Sequence, residues 1–209
     1  MAIDPSQIRR YAHGSRVPGW DSSVDLTKDP AVVPDPATTY VPDHVRTGIE
    51  SLMASYPDIR SAAIPAMKIV QREHGWLSPT AMEQAACVMR LTPAYMISVA
   101  SFYDMLFTHP VGQRHVYVCT NISCSLLGAD DLYARMKDVM EGDPDFNVRA
   151  FECLGACDIA PMASVNGVYV GPLELEDCER LRDAVKAGEE VLPDKQLARR
   201  KAASQHWNR

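Results

Sequence analysis

Two closely spaced cysteine pairs constrain this chain more than any other feature. Cys119-Thr-Asn-Ile-Ser-Cys124 places two thiols with four residues between them, and Cys153-Leu-Gly-Ala-Cys157 places two more with three between. The 28 residues between the pairs read as one helix and one strand, a length that lets four sulfurs converge on a single inorganic centre. No apolar run approaches the roughly 18 to 20 residues needed to cross a bilayer, and Met1 to Arg10 lacks the apolar stretch of a signal peptide. The expectation is a cytoplasmic protein, at most peripheral to a membrane. In that reducing compartment the six cysteines are a poor disulfide framework, and close pairs point to metal or redox chemistry.

Composition narrows the partners. A net charge of -6, with 46% hydrophobic and 23% charged residues, suits a soluble globular protein and argues against a nucleic-acid surface. At 209 residues the chain suits two small domains better than one large one. Residues 1–42 carry six prolines and no sustained apolar period, so they read as an extended or disordered arm, with Trp20 as its one candidate anchor.

From Pro42 the pattern becomes helical. Val45, Ile49, Leu52, Met53 and Tyr56 share one face, with Asp43 placed to cap the N-terminus. A second helix is expected from Ala62 to His74 with Gly75 as its stop, Pro65 fitting only in the first turn. Ser78-Pro79 and Thr92-Pro93 each combine a side-chain cap with proline at the first helical position, and each opens a further helix. Residues 43–110 thus read as a small four-helix domain.

After Gly112 the period shifts toward two. His115 to Cys119 reads as a strand, Ala129 to Met140 as an amphipathic helix closed by Gly142, and Val148 to Glu152 as a second strand. A strand–helix–strand unit of this length implies a parallel pair with a right-handed crossover. Asn166-Gly167 between Ala163–Val165 and Val168–Val170 is a hairpin signal, and Leu175, Cys178, Leu181, Ala184 and Val185 form one face of a last helix. Residues 111–188 therefore read as βαβ, hairpin, helix, so the chain as a whole is α+β. Residues 189–209 read as a basic polar tail. Lys195, Arg199, Arg200, Lys201 and Arg209 are solvated there or meet an acidic partner, with Trp207 as an anchor.

Parallel strands send both cysteine loops to the same sheet edge, which is what lets the pairs meet. Cys124 falls in the loop before the helix at Ala129, whose N-terminus favours thiolate, and Gly155 lets the second loop approach a sulfide closely. Spacing alone leaves an iron–sulfur cluster and a structural four-thiolate zinc site equally open. The pattern is neither that of plant-type ferredoxins nor a Rieske arrangement. Cys87 and Cys178 read as packing residues and His74 and His115 as structural. No glycine-rich phosphate loop and no nucleophile–base pair is present.

A family resemblance separates the alternatives. Ile64-Pro through His74-Gly-Trp-Leu-Ser78, Ser101-Phe-Tyr-Asp104, Pro110-Val-Gly112, Cys119-Thr-x3-Cys124 and Glu152-Cys-Leu-Gly-Ala-Cys157-x3-Pro161-Met162 resemble the thioredoxin-like 2Fe-2S subunit of respiratory complex I over residues 43–188. The resemblance implies a thioredoxin-like ferredoxin domain with one 2Fe-2S cluster, Cys119 and Cys124 on one iron and Cys153 and Cys157 on the other. It also implies an electron-transfer subunit of NADH:quinone oxidoreductase with no complete active site of its own. Its partners would be a subunit that binds FMN and NADH, and further iron–sulfur subunits, without direct membrane insertion. The same family serves NAD-dependent formate dehydrogenases and NAD-linked hydrogenases. The stretch between the pairs is shorter here than in most relatives, which affects a surface loop and not the ligands. Backbone N–H groups in Thr120 to Ser125 and Leu154 to Ala156 are expected to tune the potential by bonding to sulfur. A zinc-stabilised interaction module is the reading from a different functional class.

Overall fold

The computed structural model describes residues 23, 25 and 27–200. The chain divides into two compact units at the Pro110–Val111 bond. Trp20, Lys201, Trp207 and Arg209 lie outside the described residues.

The first unit is built on four helices: α1 (Asp43–Ala54), α2 (Ala63–His74), α3 (Pro79–Met89) and α4 (Pro93–Ala100). Asp43 does not cap α1. Pro42 occupies the cap position without a side-chain hydrogen bond, and Asp43 is the first helical residue, where its charge faces the positive end of the helix. The two Pro-headed helices start as their sequences require, Ser78 Oγ accepting from Ala81 N at 3.2 Å and Thr92 Oγ1 from Tyr95 N at 3.2 Å. Gly75, with φ 79°, ends α2 in the left-handed conformation. Val45 and Ile49 of α1, Met67 and Val70 of α2, Met82 and Met89 of α3 and Met96 of α4 close a single apolar core. Tyr56, expected on the α1 face, lies past the end of that helix and is exposed.

The described part of the N-terminal arm is irregular but packed. Asp25, Asp29 and Asp35 each accept a hydrogen bond from the backbone N–H two residues on, folding the segment into successive turns. Ala94 N donates to Pro30 O at 2.9 Å, Lys28 pairs with Glu83, and Val41 is buried in the helical core.

The second unit carries a four-stranded sheet in the order β2-β1-β3-β4, with β1 Arg114–Cys119, β2 Phe146–Phe151, β3 Ala163–Val165 and β4 Val168–Val170. β1 runs parallel to β2 and antiparallel to β3. β2 starts two residues earlier than its apolar pattern suggested, because Phe146 pairs with Arg114 and extends the ladder. Among the described residues, three α-helices belong to this unit: α5 (Ile122–Ser125), α6 (Ala129–Met140) and α7 (Asp177–Ala187). Val116, Val118, Leu132, Met136, Leu181 and Cys178 share its main core. Leu175, expected on the face of the last helix, is exposed and precedes α7. Glu174 N donates to Asp177 Oδ2 at 2.9 Å, and that turn delays the helix start.

The segment after α7 is docked on this unit. Gly171 N donates to Lys195 O, Lys195 pairs with Asp177, Arg199 with Glu190 and Arg200 with Asp158. Lys195 is thus largely covered, whereas Arg199 and Arg200 stay solvated while pairing with acids of the same unit. Among the described residues no helix is long and apolar enough to cross a membrane.

Candidate metal centre

The parallel ladder decides where the cysteines go. Cys119 ends β1 in register with Phe151 at the end of β2, so Cys153 begins its loop two residues beyond the rung that holds Cys119. Thr120 N donates to Phe151 O at 2.9 Å and Cys119 N to Met162 O at 3.1 Å, tying the first loop to the strands on either side. The chain then turns at once. Asn121 Oδ1 accepts from Ile122 N at 2.9 Å and opens α5, so Cys124 lies in a single helical turn and not in an open loop.

In the second loop Gly155 has φ 74°, a conformation that disfavours a side chain, but an added Cβ would meet nothing within 4 Å. That open space beside Gly155 leaves room for a sulfide to approach its backbone. Cys157 starts a short 3-10 turn through Ile159, and Ile159 and Met162 form an apolar floor with Cys119, Cys124 and Ala156. Gly171 maintains that floor, since a Cβ there would stand 2.2 Å from Ile159 O and 2.8 Å from Met162 Cβ.

The four thiols are unequal. Cys119 and Cys124 are buried at 3% and 1% exposure, whereas Cys153 and Cys157 are exposed. The Cys124 thiol is pushed up to about 11 by burial, by a hydrogen bond with Cys119 and by the neighbouring Cys119 and Cys157 sulfurs, against a lowering contribution from the Met162 backbone. A metal would have to displace the proton from this site. Cys119, Cys124 and Cys157 thus lie close enough to interact. As they stand, however, among the described residues no three His, Cys, Asp or Glu side chains are arranged to hold a metal ion. The donor chemistry nevertheless suits iron–sulfur ligation, with four free thiols on two adjacent loops over a dry floor.

The remaining cysteines and the two histidines sit in cores or hydrogen-bonded pairs. Cys87 and Cys178 are buried, at 2% and 0% exposure, and burial raises both thiols, Cys178 to about 11. His74 Nε2 bonds Gln84 Oε1 at 2.9 Å, and His115 Nδ1 lies 3.1 Å from Asn147 Nδ2, with burial and the Arg149 charge lowering its pKa. The backbone donors of the first loop are partly committed. Thr120, Ile122 and Ser125 N–H groups bond to Phe151 O, Asn121 Oδ1 and Asn121 O, which removes them from the set expected to reach sulfur. Sequence reasoning passed over Ile122, Leu126 and Leu127, which flank Cys124 and are 71%, 80% and 59% exposed. Their only sequence signal is three large aliphatic residues in a stretch too short to show a helical period.

A central parallel pair, an antiparallel hairpin and two cysteine loops at one sheet end define a thioredoxin-like ferredoxin domain. Residues 49–186 match the model of the thioredoxin-like [2Fe-2S] ferredoxin family, and the chain belongs to that family. It is 35% identical over 154 residues to an NADH-quinone oxidoreductase subunit of Rhizobium meliloti, a match covering 70% of this chain and 92% of that protein. It is also 35% identical over 153 residues to NADH-quinone oxidoreductase subunit 2 of Thermus thermophilus, covering 68% of this chain and 84% of the relative. Among solved structures, an NAD+-reducing [NiFe]-hydrogenase in the H2-reduced state aligns with 59% of this chain and 23% of its own, at a TM-score of 0.52 and 19% identity, a likeness of fold.

Proposed function

We propose that this chain is the iron–sulfur electron-transfer subunit of an NADH:quinone oxidoreductase, with Cys119 and Cys124 holding one iron of a 2Fe-2S cluster and Cys153 and Cys157 the other. The observation that carries the proposal is the ladder in which Cys119 pairs with Phe151, which opens both cysteine loops at one end of the β1–β2 pair. Family membership and the two oxidoreductase relatives support the cofactor and the assembly.

A bound cluster supplies one-electron redox chemistry, and the chain's own residues set its surroundings. Cys119 and Cys124 present sulfur from the buried side, over Ile159 and Met162, which exclude water from that face. Cys153 and Cys157 present sulfur from the exposed side. Leu154, Gly155 and Ala156, with Asn121, Ser123 and Cys124 of the first loop, are the backbone donors we assign to sulfur hydrogen bonds, since the N–H groups of Thr120, Ile122 and Ser125 are otherwise engaged. The electron's immediate partner is the subunit that binds flavin and NADH, and further iron–sulfur subunits belong to the same assembly. We place the protein in the cytoplasm, held at the membrane periphery through that assembly.

Anaerobic reconstitution with iron and sulfide, followed by metal analysis and EPR of the reduced protein, tests the reading. Two irons, two sulfides and a reduced-state signal are expected, and a colourless protein with one zinc overturns it. Isolation of the native complex and assay of NADH oxidation with quinone, formate or hydrogen identifies the assembly.

A further inference from the structure

The first unit holds a cavity of about 410 Å³ between its N-terminal segment and the starts of α3 and α4. Its apolar wall comes from Val32, Val33 and Pro34 of the segment and from Pro79, Met82 and Pro93 of the two helices. Val32 and Val33 are 61% and 41% exposed, so this wall is open to water. The rim is acidic. Asp25, Asp29, Asp35 and Glu83 stand there against one cation, Lys28, which pairs with Asp25 and Glu83. Asp29 and Asp35 have no basic partner among the described residues. Ser23 also lines the cavity, buried and tied by its Oγ, which donates to Thr108 O at 3.1 Å. The residues before Ser23 therefore leave from the wall of the cavity itself.

We propose that this cavity is the seat of the chain's own residues 16–20, with the Trp20 indole against Val33 and Met82 and the Arg16 guanidinium on the Asp29 and Asp35 carboxylates. Reach selects this occupant. Trp20 is three residues before Ser23, and three residues span at most about 11 Å, so the indole is tethered beside the wall. So short a tether holds it at an effective concentration on the order of millimolar, an advantage that a separate partner lacks. Chemistry agrees with reach. An indole offers a large rigid apolar face and an N–H that takes an acceptor when buried, and the cavity supplies an apolar wall beside carboxylates. Residues 9–20 carry Arg9, Arg10 and Arg16 and no acid, a charge opposite to that of the rim. The stretch that follows already packs on the same helices, Pro30 O accepting from Ala94 N at 2.9 Å, so the seat continues an existing contact. The inference concerns the helical unit and holds with or without the proposed cluster.

The test uses the full chain, digested briefly with trypsin and followed by mass spectrometry. Cleavage after Arg16 is expected to be slow in the natural chain and about tenfold faster in Trp20→Ala, the order expected for losing a central aromatic anchor. Asp29→Asn/Asp35→Asn keeps the Oδ1 acceptors that Ala31 N and Ala37 N use while removing both charges. It is expected to speed the same cleavage by a smaller factor and to reduce its dependence on salt. Location is read separately. With the photoreactive p-benzoylphenylalanine in place of Trp20, irradiation is expected to cross-link the arm to the peptides that carry Val33 and Met82. A natural chain cleaved after Arg16 as fast as a free peptide of residues 10–23 overturns the proposal, as does an unchanged rate in either variant. Cross-links confined to other parts of the chain overturn it as well. Cross-links between two chains overturn it in favour of an arm exchanged between copies.

Discussion

Cys124 and Cys178 have thiols raised to the same level, about 11, for reasons that differ in their consequence. Around Cys178 burial is the main cause and the neighbours are core side chains of the helix and sheet, so the thiol acts as a small hydrophobe. Around Cys124 two further sulfurs contribute, and an inorganic centre can use them together. Cys124→Ser is accordingly expected to abolish the reduced-state EPR signal. Cys178→Ala should leave that signal in place while costing about 1–2 kcal/mol of stability for the lost packing, read from urea denaturation. The same contrast predicts reactivity. In cluster-free protein at pH 8, an alkylating reagent should modify the exposed Cys153 and Cys157 first, with Cys87 and Cys178 labelled only after denaturation, as mass spectrometry of the digested protein would show.

At the level of elements, two caps and one buried carboxylate carry separable amounts of stability. Ser78→Ala and Thr92→Ala each remove an acceptor for one helix-end N–H and should cost about 1 kcal/mol, measured by denaturant unfolding. Asp177 is a larger case. Burial pushes its carboxyl up, but hydrogen bonds from Lys195 and Glu174 N and the charges of Lys195 and Arg180 outweigh that, leaving its pKa below the ordinary carboxylate value. A carboxylate lowered in the folded state contributes stability above its unfolded pKa, and that contribution is lost as pH falls through the folded value. Unfolding free energy should therefore decline as pH drops below about 4, where an unfolded aspartate protonates. Asp177→Asn should flatten that decline. Lys195→Ala leaves the carboxylate buried without its ammonium and should cost about 3 kcal/mol, while loosening the segment after α7.

At the scale of the molecule, the two units depend differently on the proposed cluster. The helical unit closes its core with residues of α1 to α4, and none of the four candidate ligands belongs to it. In the second unit Cys119 and Cys124 are themselves part of a buried apolar group, so their thiols support packing as well as ligation. Removal of the cluster by acid or chelator is therefore expected to leave the far-UV circular dichroism of α1 to α4 largely intact. Collapse of the whole helical signal on chelation would contradict this division and favour a metal-stabilised module.

Much of this architecture is local chemistry that the sequence determines by itself. Ser78-Pro79 and Thr92-Pro93 carry their own helix starts, Gly75 its helix end, and Asn166-Gly167 a hairpin whose residues adopt φ 47° and 88°. The cysteine spacing and the βαβ order likewise limit where the thiols can meet. Only tertiary structure decided the rest. It buried Cys119 and Cys124 while leaving Cys153 and Cys157 exposed, a difference set by the floor of Ile159 and Met162 from a later segment. It paired Lys195, Arg199 and Arg200 with acids of the same unit, a pairing that composition alone does not reveal. It also left Ile122, Leu126 and Leu127 in the open. Burial and ion pairing depend on what the rest of the chain brings alongside a residue, and no window of sequence around Cys124 contains that information.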